Sequence, residues 1–248
     1  MPKFFVAKDK ISDTQIIIDT GDVAHITRVL RMGEGDTLTV CDSSGMDYEA
    51  IISEIGQGRI VCDIESAKRS ETEPNISVTL FQALPKASKM EYIIQKTTEL
   101  GISEIVPVKL SRCVVKLDSK KDEKKKLDRW QKISESAAKQ SGRGIIPEIK
   151  PVMTLDEVIN ASADFDLFFA PYECEEHETL REILLSKKNI RTVGFIIGPE
   201  GGFDIAETEK LRNAGIKTVT LGKRILRTET AGEAVLAMTM YEIGDVNK

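Results

Sequence analysis

Two glycine-bearing turns near the end of the chain hold most of the residues that could bind a ligand. The first turn, Gly198-Pro199-Glu200-Gly201-Gly202, follows the apolar run 193–197, and the second begins with Leu221-Gly222 and leads to Arg227. Each turn comes after a predicted strand and before a predicted helix, which is where open α/β sheets bind ligands. Because glycine permits positive φ and a close approach of the backbone, both turns could bind a ligand through main-chain atoms.

The nature of that ligand is only partly constrained by the turns themselves. The first turn lacks both G-x-x-x-x-G-K-[ST] and G-x-G-x-x-G, so a phosphate-binding loop is a weak alternative. Asp204 followed by Glu207 forms a capping box, which predicts a helix from about residue 205 to residue 213. A tight turn with a capped helix and no ligand is the alternative for either turn alone. Two such turns close together favour a binding site.

The two turns also carry long sequence motifs. Residues 197–202 read IGPEGG, and residues 221–232 read LGKRILRTETAG. These motifs resemble the signature of the ribosomal RNA small-subunit methyltransferase E family, the 16S ribosomal RNA (uracil-N3)-methyltransferases of the SPOUT superfamily. The resemblance implies S-adenosyl-L-methionine as cofactor, bound in a C-terminal α/β domain with a deep trefoil knot and a mostly parallel sheet. It further implies a homodimer in which the partner subunit completes the active site.

The predicted cofactor site combines main-chain donors, small residues and an apolar floor. Its residues are Ala170, Pro171, Ile197, Gly198, Pro199, Glu200, Gly201, Gly202, Leu221, Gly222, Ile225, Leu226, Thr230 and Ala231. Ala170 and Pro171 are included because they end another predicted strand, 165–170, whose carboxyl end is expected at the same edge of the sheet.

Methylation of uracil N3 requires that a weakly acidic proton leave and that the negative charge on the two carbonyl oxygens be stabilised. Arg227 is predicted to bind that charge, because its guanidinium can donate to a carbonyl and a phosphate together. The alternative is an ion pair between Arg227 and Glu229. Glu200 and Glu229 are equal candidates for the proton acceptor, and transfer to water is a third possibility. Thr228 or Thr230 is expected to cap the helix that follows.

Composition excludes several classes of protein. The chain has 248 residues, of which 41% are hydrophobic and 30% charged, as in soluble globular proteins. No apolar run is long enough for a membrane span or a signal peptide, so we expect a cytoplasmic protein without a membrane partner. Four cysteines without a C-x-x-C pair and only two histidines predict no metal site. Cys41 and Cys62 are expected to be buried thiols.

Charge is distributed unevenly along the chain. The net charge is −5, but residues 86–150 carry 16 Lys or Arg against 9 Asp or Glu, between two acidic segments. Such a basic segment is suited to phosphate contact. Together with family motifs around His25, Gln95 and Gln140, this predicts 16S ribosomal RNA or the small ribosomal subunit as partner. The RNA-binding candidates are Arg31, Lys86, Lys89, Arg112, Gln140 and Arg143. The alternative for each is a solvated or packed side chain.

The remaining pattern predicts the elements that position these residues. Residues 1–72 alternate as short strands around one helix, and the resemblance makes them a PUA-like β-barrel that binds RNA. Residues 73–248 alternate strands and helices and form the SPOUT domain, which predicts a mostly parallel sheet. Helices are predicted at 86–100, with a cap at Gly101, and at 119–140, with Trp130 in the core.

Three functions are compatible with this pattern. The first is formation of N3-methyluridine in 16S ribosomal RNA. The second is a SPOUT methyltransferase acting on another RNA position or on a ribose 2′-oxygen, because the cofactor motifs constrain the target less than the donor. The third is a non-catalytic RNA-binding protein. One departure from the family is Cys113, which stands where relatives usually have serine.

Overall fold

The computed structural model describes residues 3–115 and 119–246. Its contacts divide the chain into two compact units. The N-terminal unit comprises the residues up to Glu73 together with Ala138–Ile146, and the C-terminal unit comprises Pro74–Ala137 and the residues from Pro147 onward. The sequence did not predict that the segment Ala138–Ile146 groups with the N-terminal unit.

The N-terminal unit contains a five-stranded sheet in the order β1-β3-β4-β5-β2. Its strands are β1 (Lys3–Phe5), β2 (Gln15–Ile18), β3 (Thr37–Cys41), β4 (Met46–Gly56) and β5 (Arg59–Arg69). The alternation that predicted them is present, since Ile16 and Ile18 are fully buried while Ile17 is 37% exposed. The predicted helix is a short α-helix, α1 (Asp22–Ala24), that continues as a π-helical turn at His25–Val29. Cys41 and Cys62 are buried thiols as predicted.

The C-terminal unit contains a seven-stranded sheet in which every pairing is parallel. Its strands are β6 (Ser77–Ala83), β7 (Glu104–Lys109), β8 (Glu148–Ile149), β9 (Met153–Thr154), β10 (Leu167–Pro171), β11 (Thr192–Ile197) and β12 (Lys217–Val219). The order is β12-β10-β11-β6-β7-β8, with β9 paired to β7. The predicted α/β fold with a mostly parallel sheet is confirmed.

Helices cover both faces of this sheet. They are α2 (Lys89–Glu99), α3 (Lys120–Ser141), α4 (Leu155–Ala161), α5 (Leu180–Leu184), α6 (Ile205–Asn213) and α7 (Thr228–Glu242). Successive residues of β11 enter different cores, since Phe195 packs with residues of α2 and α7 and Ile196 with residues of α4 and α6. Burial on both faces explains why these strands are nearly continuous apolar runs. Trp130 is buried in the first of these cores, as predicted.

The strand register places three loops at one edge of the sheet. Leu167 pairs with Val193, so Pro171 and Ile197 end neighbouring strands at the same level, and β12 pairs with β10 on its other side. The loops that follow β10, β11 and β12 therefore lie side by side. Among the described residues, no helix has both the length and the apolar composition needed to cross a lipid bilayer.

Candidate active site

A cavity of about 930 Å³ opens where these three loops meet, and we call it the candidate cavity. Most of the residues predicted to bind the cofactor line it. They are Pro171, Ile197, Gly198, Pro199, Glu200, Gly202, Leu221, Gly222, Ile225, Leu226 and Ala231. Ala170 lies instead in the apolar core of the sheet, and Gly201 and Thr230 are not part of the lining. The two glycine-bearing turns thus face one cavity, which neither turn alone could predict.

The first turn is held in a conformation that requires glycine. Gly202 has φ of +66°, and its N–H donates to the carbonyl of Pro199 at 2.9 Å. A Cβ atom added to Gly202 would collide with the carboxylate of Glu173. Asp204 then caps α6, and Asp204 and Glu207 form the predicted capping box. The start of α6 therefore fixes one end of the turn.

Arg112 braces the same turn from the loop after β7. Its guanidinium donates to the carbonyl of Gly201 at 2.8 Å and forms an ion pair with Asp204 at 3.3 Å. The main-chain N–H of Ser111 donates to Glu207 at 2.7 Å. Arg112 was predicted to contact RNA, but its donors are directed at the turn. Cys113 Sγ accepts a bond from the N–H of Leu110 at 3.4 Å, so the thiol takes part in the loop after β7.

The second turn is open and basic. Gly222 has φ of +96°, and a Cβ atom added to it would have no heavy atom of the described residues within 4 Å, its chain neighbours aside. Lys223, Arg224 and Arg227 line the cavity beside Ile225, whose side chain is 85% exposed. Arg227 occupies the N-cap position of α7 without a side-chain cap. Within residues 3–115 and 119–246, no carboxylate forms an ion pair with it, so its predicted alternative role as the partner of Glu229 is wrong.

The expected capping role of Thr228 or Thr230 is also wrong. The hydroxyl of Thr228, the first residue of α7, donates to the carbonyl of Gly198 at 2.7 Å and accepts from Gln82 Nε2 at 2.9 Å. A hydroxyl at N1 can reach across to a neighbouring turn, whereas a cap must come from the preceding residue. This bond joins the start of α7 to the first turn.

Lys89 lies between the two candidate bases. Its Nζ is 3.1 Å from Glu200 Oε1 and 3.1 Å from Glu229 Oε2, although the latter oxygen receives no hydrogen bond in good geometry. Glu200 also accepts from the main-chain N–H of Lys86 at 3.0 Å. Burial favours a raised pKa for Glu200, but its own N–H, that of Lys86 and the Lys89 ammonium outweigh it, so the pKa of Glu200 lies below its ordinary value. The neighbouring carboxylates raise the pKa of Lys89, that of Glu200 more than that of Glu229.

The remaining RNA candidates have different surroundings. Arg31, Lys86 and Gln140 are exposed. Arg143 is buried, 3% exposed, and its guanidinium is 2.6 Å from Glu73 Oε2 within the N-terminal unit. This position argues against the predicted contact of Arg143 with RNA.

Sequence reasoning missed two features of this site. Gln82 is a buried residue at the end of β6 that showed no chemical signal beyond its polarity in an apolar strand. The acidic run that follows Pro171 lines the cavity through Glu173, Glu175 and Glu176 and was visible as a cluster of like charges. Glu175 accepts from the hydroxyl of Thr218 at 2.6 Å, a bond that lowers its pKa.

Across the part of the chain that is described, no three His, Cys, Asp or Glu side chains come together as metal ligands would.

Comparison with known proteins connects this geometry to a family. The profile of an RNA methyltransferase domain matches residues 72–240, and that of an RNA methyltransferase PUA domain matches residues 18–65. The ribosomal RNA small subunit methyltransferase E of Bacillus subtilis is 35% identical over 98% of this chain and 97% of its own length. The chain belongs to the ribosomal RNA small subunit methyltransferase E family. The resemblance seen in its two motifs is confirmed.

Other members of the methyltransferase E family show the same agreement. The protein of Aquifex aeolicus is 30% identical over 91% of this chain and 93% of its own length. The crystal structure of the family member from Neisseria gonorrhoeae, bound to S-adenosyl methionine, covers all of both chains with a TM-score of 0.85 and 29% identity. The family's PUA domain thus corresponds to a region within the five-stranded sheet unit, and its methyltransferase domain covers the candidate cavity.

Proposed function

We propose that this protein is an S-adenosyl-L-methionine-dependent methyltransferase that forms N3-methyluridine in the 16S ribosomal RNA of the small subunit. One observation carries the proposal: the two turns that bear the family motifs line a single cavity at the carboxyl ends of β10 and β11. Family membership supports RNA methylation, and the Neisseria relative binds the same donor.

The residues of the cavity fit this donor. About 930 Å³ is within the range of roughly 300–1,000 Å³ of small-molecule sites. Ile197, Leu221 and Leu226 offer apolar surface for an adenine, and the bare main chain around Gly222 offers donors and acceptors. S-adenosyl-L-methionine supplies an electrophilic methyl group on a sulfonium. We assign its binding to the lining residues given above, with Gly201 and Thr230 supporting the turns and Ala170 supporting the strand end from within the core.

The chain's own residues supply the rest of the reaction. Arg227, exposed in the cavity and free of carboxylate partners among the described residues, donates to a uracil carbonyl and stabilises the charge that develops as N3 loses its proton. Glu200 takes that proton ahead of Glu229, because Glu200 lines the cavity and Glu229 does not. Glu200 is ionised at neutral pH, and its lowered pKa makes it a weaker base than an ordinary glutamate.

RNA recognition extends beyond the cavity. We infer that Arg31, Lys86 and Gln140, which are exposed, contact RNA phosphates or bases, and that the N-terminal PUA-like unit contributes to this contact. We infer that the other three predicted RNA contacts act instead by pairing with carboxylates. Lys89 pairs with Glu200 and Glu229, Arg112 with Asp204, and Arg143 with Glu73. The homodimer, the trefoil knot, the domain boundary after residue 72 and the cytoplasmic location stay predictions.

The proposal is tested by offering S-adenosyl-L-methionine with a labelled methyl group and two RNAs, naked 16S ribosomal RNA and small subunits from cells that lack the protein. Mass spectrometry of the digested RNA should identify N3-methyluridine. A ribose-methylated or otherwise modified nucleoside would favour the second function considered above. Failure to bind the donor in calorimetry would favour a non-catalytic RNA-binding protein.

A further inference from the structure

A chain of hydrogen bonds joins three segments at the wall of the candidate cavity, which Gly198 and Thr228 both line. Gln82 is fully buried near the end of β6, and its Nε2 lies 2.9 Å from the hydroxyl of Thr228. That hydroxyl lies 2.7 Å from the carbonyl of Gly198. The chain of bonds therefore runs from β6 to α7 and on to the first glycine-bearing turn.

The direction of these bonds is fixed. Gln82 Nε2 also donates to the carbonyl of Ala83 at 3.0 Å, so both of its hydrogens are used. Rotating the amide by half a turn would set its oxygen against that carbonyl, and two acceptors cannot bond. Because an amide nitrogen only donates, the Thr228 hydroxyl must accept from it and has one proton, which goes to Gly198.

The arrangement leaves one buried polar atom unpaired in the described part of the chain. Among the described residues the buried Gln82 Oε1 finds no hydrogen-bond partner, and such an oxygen costs free energy that an apolar side chain of similar size would avoid. The Thr228 hydroxyl likewise gives no cap to α7. Both side chains are used instead to hold the start of α7 against Gly198.

Thr228 adjoins Arg227 in the chain, and Gly198 lies in the cavity lining. We propose that Gln82 and Thr228 are positioning residues that couple the donor-binding turn to Arg227. With the hydroxyl bonded to Gly198, the start of α7 cannot shift without moving the turn. This inference rests on the proposed function, and it adds to it a mechanical link between donor and catalytic arginine.

The test compares four single variants and one double variant of the full-length protein with the wild type. Thr228→Val keeps the shape and removes the hydroxyl, Thr228→Ser keeps the hydroxyl, and Gln82→Met removes the donor. Thr239→Val is the matched control, because Thr239 is buried in the same helix and its hydroxyl has no hydrogen-bond partner within residues 3–115 and 119–246. For each, kcat, KM for RNA, the Kd of S-adenosyl-L-methionine and the melting temperature are measured.

We expect Thr228→Val to lower kcat by about 10²-fold, the loss typical of a misplacement of about 1 Å. KM for RNA should change little, whereas the melting temperature should fall by several degrees because Gln82 Nε2 and the Gly198 carbonyl each lose a partner. Thr228→Ser should recover most of the rate, and Thr239→Val should match the wild type. Since Gln82 and Thr228 act as one unit, the double variant Gln82→Met/Thr228→Val should lose no more than the worse single variant.

Wild-type kcat in Thr228→Val would overturn the coupling, as would a loss in the double variant equal to the product of the single losses. Equal losses in Thr228→Val and Thr239→Val would show a purely structural role and overturn it too. The Thr228 variants decide the matter even where Gln82→Met fails to fold. A wild type that transfers no methyl group would contradict the proposed function and this inference together, whereas an active wild type with indifferent variants contradicts the inference alone.

Discussion

Among single side chains, Lys89 most changes the chemistry expected of the site. The helical pattern and family motif placed it among the RNA contacts, but it lies between Glu200 and Glu229. Those carboxylates follow it by more than 100 residues in the chain, so only the folded sheet brings the three together. A pattern read along the sequence predicts which residues share a helix face and not which distant charge meets them.

Arg227 is the residue on which turnover depends most directly. Arg227→Ala should lower kcat by about 10²- to 10³-fold, the loss found when one donor to a developing oxyanion is removed. The Kd of S-adenosyl-L-methionine should change little, because the donor is bound mainly by main-chain atoms. Single-turnover methylation and calorimetry measure the two quantities, with Arg191→Ala, an exposed arginine at the start of β11, as control. Retention of wild-type kcat by Arg227→Ala would rule out this role.

Glu200→Gln tests the proton acceptor. Loss of a general base should lower kcat/KM by about 10²-fold or more, while Glu229→Gln should have a smaller effect. The profile of kcat/KM against pH should lose its acidic limb in the Glu200 variant. If Glu200→Gln keeps the wild-type rate across that range, Glu200 is not the acceptor and the proton goes to Glu229 or to water.

The same carboxylate predicts how stability depends on pH. The pKa of Glu200 lies below its ordinary value of 4.5, so its bonds stabilise the folded state above that pH and are lost as the pH falls through the lowered value. Wild type should melt above Glu200→Gln at neutral pH, and the two melting temperatures should converge in acid. A difference that persists unchanged in acid would contradict an ionised Glu200.

Among the elements, α6 and α7 show what local sequence determines. The limits and capping box of α6 were predicted from the sequence, because a capping box involves only neighbouring residues. The start of α7 was predicted wrongly, since the Thr228 hydroxyl bonds to Gly198, which lies 30 residues away. Local rules fail where a side chain has a better distant partner.

Asp204→Ala tests how far α6 supports the cavity. Loss of the cap should cost about 1 kcal/mol and lower the melting temperature by roughly 2–4 °C. The Kd of S-adenosyl-L-methionine should rise as well, because Asp204 also anchors Arg112 against the first turn.

Thr154→Ala is the matched control, since Thr154 forms a similar capping box at α4, whose residues do not line the cavity. It should lose similar stability and keep donor affinity. Equal donor affinity in the two variants would show that α6 has no part in holding the turn.

For the whole molecule, the alternating pattern predicted the parallel sheet and its two covered faces, because period and burial are local properties. It did not predict that Ala138–Ile146 joins the N-terminal unit. Glu73 contributes to that grouping, because its carboxylate accepts from the N–H groups of Gly144 and Ile145 and pairs with the buried Arg143. A polar residue in a linker showed no sign of this role.

Glu73→Ala should therefore destabilise the protein strongly. Removal of one partner from a buried ion pair costs about 3–5 kcal/mol, which urea unfolding followed by circular dichroism would measure. Glu71→Ala is the control, because Glu71 forms an exposed pair with Lys68 and should cost less than about 1 kcal/mol. Similar losses of unfolding free energy in both variants would contradict a stabilising role for the Arg143–Glu73 ion pair.

The central claim is that both motif-bearing turns bind one methyl donor. A crystal structure of the protein with S-adenosyl-L-methionine tests it most directly. The account predicts density for the donor in the cavity between residues 197–202 and 221–227, with its polar atoms bonded mainly to the main chain of these turns. Donor density elsewhere on the molecule, or a donor in contact with only one of the turns, would contradict it.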